Sequence, residues 1–145
     1  MSFSVDCNVL LSASDQSSPH QEAAGEFLRS ACQAEDLFCL SWLTLMSYVR
    51  IATHPRIFRS PLSPAQATEN VESLLGQPNV RAIGERKGFF AAYLALTGKQ
   101  AVRGNLVPDA HLATILRQNQ VPTLYTRDQD FRRFSSLSVR DPFEA

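Results

Sequence analysis

Short β-prone runs alternate with longer stretches of helical periodicity along this chain. The runs lie at residues 3–6, 36–40, 79–83, 123–126 and 138–140, and each carries apolar or β-branched side chains. Runs of this length between polar or turn-forming residues are typical of strands. The pattern therefore predicts five short strands, of which the one at 36–40 is buried.

Helical segments are predicted in the intervals between these strands. The third helix is expected to end near His54–Pro55, because the residue before a proline avoids the α conformation. Gly76 and Gly98 are expected to end two further helices, and residues 128–134 form a turn or a short helix. Serine before an apolar periodic segment, or proline at its first position, favours a helix start. By these signals four predicted helices begin at Ser17–Pro19, Ser41, Ser63–Pro64 and Pro108, and two further helical segments are predicted to begin at Asn8 and Lys87.

An alternation of short strands and helices is typical of an α/β domain built on a parallel sheet. The chain has 145 residues, which fits one domain with one core, and no repeat, low-complexity tract or linker divides it. We therefore predict a single domain over residues 1–145 with a central parallel sheet flanked by helices. In such sheets ligands bind beyond the carboxyl ends of the strands, so functional residues are expected there.

The composition is that of an ordinary globular protein, with 44% hydrophobic and 19% charged residues. The 14 basic and 14 acidic side chains give a formal net charge of zero. A protein with this charge has no overall positive field. Any binding of nucleic acid must therefore depend on local basic residues or on metal ions.

The cysteines are odd in number and lack CxxC spacing: Cys7, Cys32 and Cys39. They are typical of small buried residues in a reducing compartment. The longest apolar runs are too short to span a bilayer, and residues 1–6 lack the basic and apolar regions of a signal peptide. We expect a cytoplasmic protein with no membrane partner.

Four aspartates lie at the ends of predicted elements or just beyond them. Asp6 ends the first strand, Asp109 follows Pro108 in the first turn of a helix, and Asp128 and Asp130 follow the fourth strand. Carboxylates that converge repel each other in a low dielectric, and a divalent cation normally neutralises them. Hard oxygen ligands favour Mg²⁺ or Mn²⁺, whereas the three histidines show no paired spacing for zinc.

Each aspartate also has an interpretation that needs no ligand. Asp109 can stabilise the amino end of its helix, and Asp128 with Asp130 can form a turn. Asp6 is harder to explain in this way, because an unpaired charge at an apolar strand end is costly. Periodicity and spacing leave a shared metal site and separate structural roles both open.

Motifs around these aspartates are similar to those of one known family. Val5–Leu10, Gly104–Ala113 and Thr126–Phe131 resemble the segments that carry acids in PIN-domain ribonucleases of the VapC toxin type. Ser18–His20, Arg50–Phe58 and the tail at 134–142 also resemble VapC toxins. The resemblance covers essentially the whole chain. Each motif is weak by itself, but their order and spacing together are specific.

The resemblance implies a PIN-like three-layer α/β fold and metal-dependent endoribonuclease activity on RNA phosphodiester bonds. It also implies a toxin with Mg²⁺ or Mn²⁺ as cofactor, a cognate antitoxin, a homodimer, and transfer, ribosomal or messenger RNA as substrate. Asp6 and Asp109 are then expected to bind the cation directly or through water. Asp128 would complete the site, and Asp130 would bind at its periphery.

Three polar residues near the acids are expected to contact RNA or to support the site. Arg50 can bind phosphate, or pair with an acid when no metal is bound. Asn8 can orient Asp6 or cap a helix. Thr126 can bind water or phosphate, or serve only the β-propensity of the strand end.

One position departs from the family pattern. Members carry a glutamate in a segment of the form Trp-x-x-Leu-x-Glu-Phe-x-Arg, and here Trp42 and Arg50 fix the frame so that Ser47 takes its place. Ser47 can bind a water molecule but brings no charge. We therefore keep Ser47 among the catalytic positions and expect weaker metal binding, above all at any second metal position.

The main alternative is a catalytically impaired PIN domain that binds RNA or antitoxin without cutting. A phosphatase or phospho-acceptor domain is disfavoured, because Asp6 is followed by Cys7 and Asn8 rather than by an Asp-x-Asp-x-Thr motif. A purely structural module leaves Asp6 without a role.

Overall fold

The fold is built on a five-stranded sheet whose neighbouring strands are all parallel. The structure is a computed structural model and describes residues 1–98 and 100–144. The strands are β1 (Phe3–Val5), β2 (Phe38–Ser41), β3 (Val80–Ile83), β4 (Thr123–Tyr125) and β5 (Ser138–Arg140). Their order in the sheet is β3-β2-β1-β4-β5. The five predicted strands are confirmed, with ends that differ by one or two residues.

Helices fill the connections between strands. A short 3₁₀ helix (Gln129–Arg133) follows β4. The α-helices are α1 (Cys7–Ser14), α2 (Gln21–Gln33), α3 (Trp42–Ala52), α4 (Pro64–Leu75), α5 (Phe89–Thr97) and α6 (Leu106–Gln118).

Two serines start helices as their positions predict. The Ser41 hydroxyl accepts a hydrogen bond from the Thr44 N–H at 3.0 Å, so the residue that ends β2 also caps α3. Ser63 and Gln66 form a reciprocal capping box at the start of α4. Local hydrogen bonds of this kind need no tertiary contact, which is why the sequence shows them.

Three predicted helix starts are wrong by two residues or more. The second helix begins at Gln21 and leaves Pro19 in the preceding turn. The fifth begins at Phe89, because Gly88 has φ +80° and leaves the helical region. The sixth begins at Leu106, two residues before Pro108. Proline is tolerated there because the first N–H groups of a helix have no partner within it.

Apolar side chains form a cluster on each face of the sheet. Phe38 and Leu40 pack with helices α1 to α4 in one cluster, whereas Cys39 and Leu124 pack with α6 and the 3₁₀ helix in the other. Alternate residues of a strand point to opposite faces, so β2 contributes to both. The domain therefore has the three layers expected of the predicted α/β fold.

The strand order places the functional edge of the sheet. From β1 the chain proceeds to β2 and β3 on one side, and β4 and β5 extend the sheet on the other side. β1 and β4 are therefore neighbours, with Val5 in register with Tyr125. A crevice opens where the order reverses, and it lies beyond the carboxyl ends of these two strands. Within the described part of the chain, every helix is too short or too polar to span a lipid bilayer.

Candidate active site

Asp6 lies at the carboxyl end of β1, where the chain turns into α1. Its backbone N–H donates to the Tyr125 carbonyl at 3.0 Å, which extends the pairing of β1 with β4 by one residue. Its carboxylate accepts a hydrogen bond from the Thr126 hydroxyl at 2.9 Å. The two residues are 120 positions apart in the chain, so the position of Asp6 depends on the neighbouring strand.

Thr126 is buried and links three parts of the site. It is 1% exposed, and its backbone N–H donates to the Arg140 carbonyl at 2.8 Å. Its hydroxyl donates to Asp6 and accepts from the Asp128 N–H at 2.9 Å. This hydroxyl is therefore engaged inside the protein, which favours a positioning role for Thr126 over direct contact with RNA.

Asp109, Asp128 and Asp130 form a compact group of carboxylates. One oxygen from each lies within 4.8 Å of the others. Asp109 is in the first turn of α6, and Asp128 caps the 3₁₀ helix by accepting from the Asp130 N–H at 2.9 Å. Two separate elements, α6 and the segment after β4, thus bring acids to one point.

The pKa values show that the four acids share one electrostatic environment. Burial is the largest of the causes that together raise the pKa of Asp109 to about 6, and the negative charges of Asp128, Asp6 and Asp130 follow in that order. The pKa of Asp6 is also raised, first by burial and then by the charge of Asp128. The Thr126 hydrogen bond and the backbone amides of Cys7 and Asn8 oppose this rise. Asp6 therefore belongs to the same cluster although it is not in the most compact group.

A cleft opens beside these acids, with α3 as its opposite wall. Asp6, Asn8 and Asp109 line one part of it, and Ser47 and Arg50 line the α3 part. All the residues predicted for the site therefore lie in or next to this cleft. Asn8 is exposed, and no hydrogen bond joins its side chain to Asp6 among the described residues.

Cys7 is a cleft residue that the sequence did not indicate as functional. Burial and the negative charge of Asp6 raise the pKa of its thiol to about 12, and the positive charge of Arg50 opposes the rise. The thiol is therefore neutral, and Asp6 and Arg50 act on it from within one pocket. Its place in the chain, directly after Asp6, is the only signal that the sequence could have offered.

A second group that the sequence did not indicate is centred on Arg127. Arg127, next to Asp128 in the chain, donates to His20 Nε2 at 2.8 Å and to an Asp141 carboxylate oxygen at 3.3 Å. Its guanidinium carbon lies 5.6 Å from the centre of the Phe143 ring. The carboxy-terminal segment is therefore attached to the loop that carries Asp128.

The carboxylates fit a divalent cation. Three oxygens within 4.8 Å of one another can share one ion. The pKa of Asp109 is raised first by burial and then by the repulsion of its neighbours, and such an ion would offset both. Oxygen donors favour hard cations such as Mg²⁺ and Mn²⁺ over softer metals. No group of histidines or cysteines competes with this cluster in residues 1–98 and 100–144.

The chain is similar along its whole length to curated VapC ribonucleases. It is 37% identical to Ribonuclease VapC48 of Mycobacterium tuberculosis over 143 residues, which cover 99% of each chain. It is 30% identical to Ribonuclease VapC37 of the same species over 141 residues, which cover 95% of each. No protein-family model matches the chain. Since the relatives are named ribonucleases, they give no support to the alternative of a PIN domain that binds without cutting.

Solved structures share the fold at low sequence identity. VapBC2 from Rickettsia felis, bound to a DNA fragment from its promoter, superposes with a TM-score of 0.70 at 16% identity and covers 97% of this chain and 98% of its own. The sarcin–ricin-loop-cleaving toxin VapC20 of M. tuberculosis gives 0.64 at 15% identity, with coverage of 90% and 93%. The parallel sheet, the acids at its switch point and the full-length similarity to VapC48 agree, and this chain belongs to the VapC family of ribonucleases.

Proposed function

We propose that this chain is the toxin of a toxin–antitoxin pair and hydrolyses RNA phosphodiester bonds with a divalent cation, Mg²⁺ or Mn²⁺. The observation that carries the proposal is the convergence of Asp6, Asp109, Asp128 and Asp130 at the switch point of the sheet. Full-length similarity to VapC ribonucleases supports the RNA substrate.

The acids have different places in the proposed site. Asp109, Asp128 and Asp130 would hold the cation, since their oxygens already lie together. Asp6 would bind it directly or through water. A bound cation polarises the scissile phosphate and lowers the pKa of an attacking water molecule.

The other residues position the acids and the RNA. Thr126 fixes the Asp6 carboxylate relative to the Asp128 backbone through its hydroxyl. Arg50 and Asn8 lie in the cleft and can contact phosphate oxygens or the RNA backbone. Local basic groups of this kind are needed because the net charge of the chain is zero.

Two protein partners are part of the proposal. The R. felis neighbour is a VapBC assembly bound to promoter DNA, and we expect a cognate antitoxin here as well. We also expect a homodimer, because large apolar side chains remain exposed on α3 and α5, including Met46 at 50% and Phe90 at 69%.

Cleavage of a total RNA pool in Mn²⁺ tests the proposal. The wild-type chain should cut RNA in Mn²⁺ and lose this activity in a chelator. Asp6→Asn and Asp109→Asn should each lower the rate about 10- to 100-fold, as expected when a metal-positioning group is removed. Glu69→Gln, on the exposed side of α4, should cut like wild type.

Ser47→Glu completes the experiment. If the wild-type chain is inactive in every divalent metal and Ser47→Glu cuts, the chain in its present sequence is not a ribonuclease. If no variant cuts although all are folded, the nuclease proposal is wrong and binding without cleavage takes its place.

A further inference from the structure

The two walls of the cleft carry opposite charges. One wall carries Asp6 and Asp109, and the acidic group continues from Asp109 to Asp128 and Asp130. On the other wall, α3 presents Ser47 and Arg50, which are three residues apart and therefore on one face of the helix. No carboxylate of α3 faces the cleft, since the helix contains no Asp or Glu.

Among the residues that the structure describes, no carboxylate pairs with Arg50, despite the acids across the cleft. The ion pairs within 4 Å among residues 1–98 and 100–144 join Met1 to Asp36, His111 to Glu85, and Arg127 to Asp141. Arg50 lies in the last turn of α3, where a cation is favoured by the helix dipole. The helix dipole stabilises the positive charge of Arg50, but this interaction leaves the five N–H donors of the guanidinium available to a ligand in the cleft.

We propose that the α3 wall, formed by Ser47 and Arg50, binds a phosphate of the RNA, and that the chain holds a single divalent cation on the opposite wall. This inference rests on the function proposed above and specifies how cation and substrate share the site. The cation would lie with Asp109, Asp128 and Asp130, and the guanidinium and hydroxyl would contact phosphate oxygens.

The charges on the two walls favour a cation on the acidic wall and a phosphate on the α3 wall. A second catalytic cation would have to lie roughly 3.5–4 Å from the first and needs anionic oxygen ligands of its own. The α3 wall offers it neutral hydroxyls, from Thr44 and Ser47, and a repelling positive charge from Arg50. Ser47 and Arg50 suit a phosphate, because a guanidinium can donate two parallel hydrogen bonds to its oxygens.

The stoichiometry of Mn²⁺ binding tests the cation half of the proposal. Isothermal titration and electron paramagnetic resonance with the full-length chain, without RNA, should give one Mn²⁺ per chain for wild type. Ser47→Glu adds an acid to the α3 wall and should raise this number to two. Ser47→Gln is the matched control, because glutamine is similar in size to glutamate but uncharged. This variant should still bind one Mn²⁺ per chain.

Binding of a labelled single-stranded RNA of random sequence tests the phosphate half. With Ca²⁺ in place of Mn²⁺, and with the RNA checked for integrity afterwards, fluorescence anisotropy should show about tenfold weaker binding for Arg50→Ala. The slope of log affinity against log salt concentration should become shallower by the contribution of about one phosphate contact. Arg50→Lys should keep most of the slope, and Arg29→Ala, an exposed arginine on α2 outside this cleft, should bind like wild type.

The outcomes distinguish this inference from the proposed function. Two Mn²⁺ ions per wild-type chain, or an RNA affinity and salt slope of Arg50→Ala equal to those of wild type, would overturn the inference while RNA cleavage by wild type continues. Absence of both Mn²⁺ binding and cleavage in folded wild type would instead overturn the proposed function. One Mn²⁺ per wild-type chain, with weaker and less salt-dependent RNA binding by Arg50→Ala, supports the inference.

Discussion

The acids of the site are held in two different ways. Asp6 is partly buried at the end of β1 and is fixed by Thr126, which lies 120 residues away. Asp130 is exposed and is placed by a local turn, since its N–H donates to Asp128 two residues earlier. The first arrangement depends on the pairing of two strands, whereas the second depends on a hydrogen bond that the segment makes by itself. Loss of the strand-to-strand contact should therefore disturb the site more.

The largest effect is expected from Thr126→Val, which keeps the shape of the side chain but removes the hydroxyl. Asp6 then loses a donor and the Asp128 N–H loses its acceptor. Unsatisfied buried groups of this kind cost about 1–3 kcal/mol, so urea unfolding should show a loss in this range together with weaker Mn²⁺ binding. Thr126→Ser should restore most of both properties. Unchanged stability and Mn²⁺ affinity in Thr126→Val would contradict the bridging role.

A smaller effect, with a defined pH dependence, is expected from Asp109→Asn in the metal-free protein. The pKa of Asp109 is about 6 in the folded chain, above its ordinary value of 3.8. A raised pKa means that folding favours the protonated acid. The stability that this contributes is fully present below pH 3.8 and is lost as the pH rises through 6.

Asp109→Asn removes this loss, so it should be more stable than wild type at pH 8 in a chelator. The cost of the Asp109 charge comes first from burial and then from repulsion by the other acids. The difference should be about 1 kcal/mol, because the group is partly exposed and solvent reduces that cost. Urea unfolding at pH 8 and pH 4 measures it, and the difference should shrink at the lower pH. An advantage of the variant that grows as the pH falls would show that the burial and repulsion of the Asp109 charge are not its cause.

The smallest effect is expected from Arg127→Met, which keeps the apolar stem and removes the charge. Arg127 is half-exposed, and exposed ion pairs contribute about 1 kcal/mol or less. We expect a stability loss of about 0.5 kcal/mol and a change in Mn²⁺ affinity below about twofold. If Mn²⁺ affinity falls as far as in Thr126→Val, the carboxy-terminal segment at Asp141 also positions the acids, and the distinction between the two arrangements needs revision.

The sequence by itself determined the elements and the candidate acids. Ser41 and Ser63 start helices through hydrogen bonds within three residues, and the apolar runs at β1 to β5 form strands wherever they pair. Asp6, Asp109 and Asp128 lie at or near element ends, and the sequence indicated these positions because local signals that end a strand or start a helix are visible in the chain. Sequence motifs also indicated the family, which full-length similarity to VapC48 confirms.

The tertiary structure alone decided which of these residues meet. The order β3-β2-β1-β4-β5 places β4 beside β1 and so brings the buried Thr126 hydroxyl to Asp6. The start of α6 at Leu106, and the face that α3 turns to the cleft with Ser47 and Arg50, were likewise set by packing. The physical reason is the range of the interactions. Caps and turns depend on neighbours in the chain, whereas strand order and the facing of helices depend on burial of apolar surface shared by distant segments.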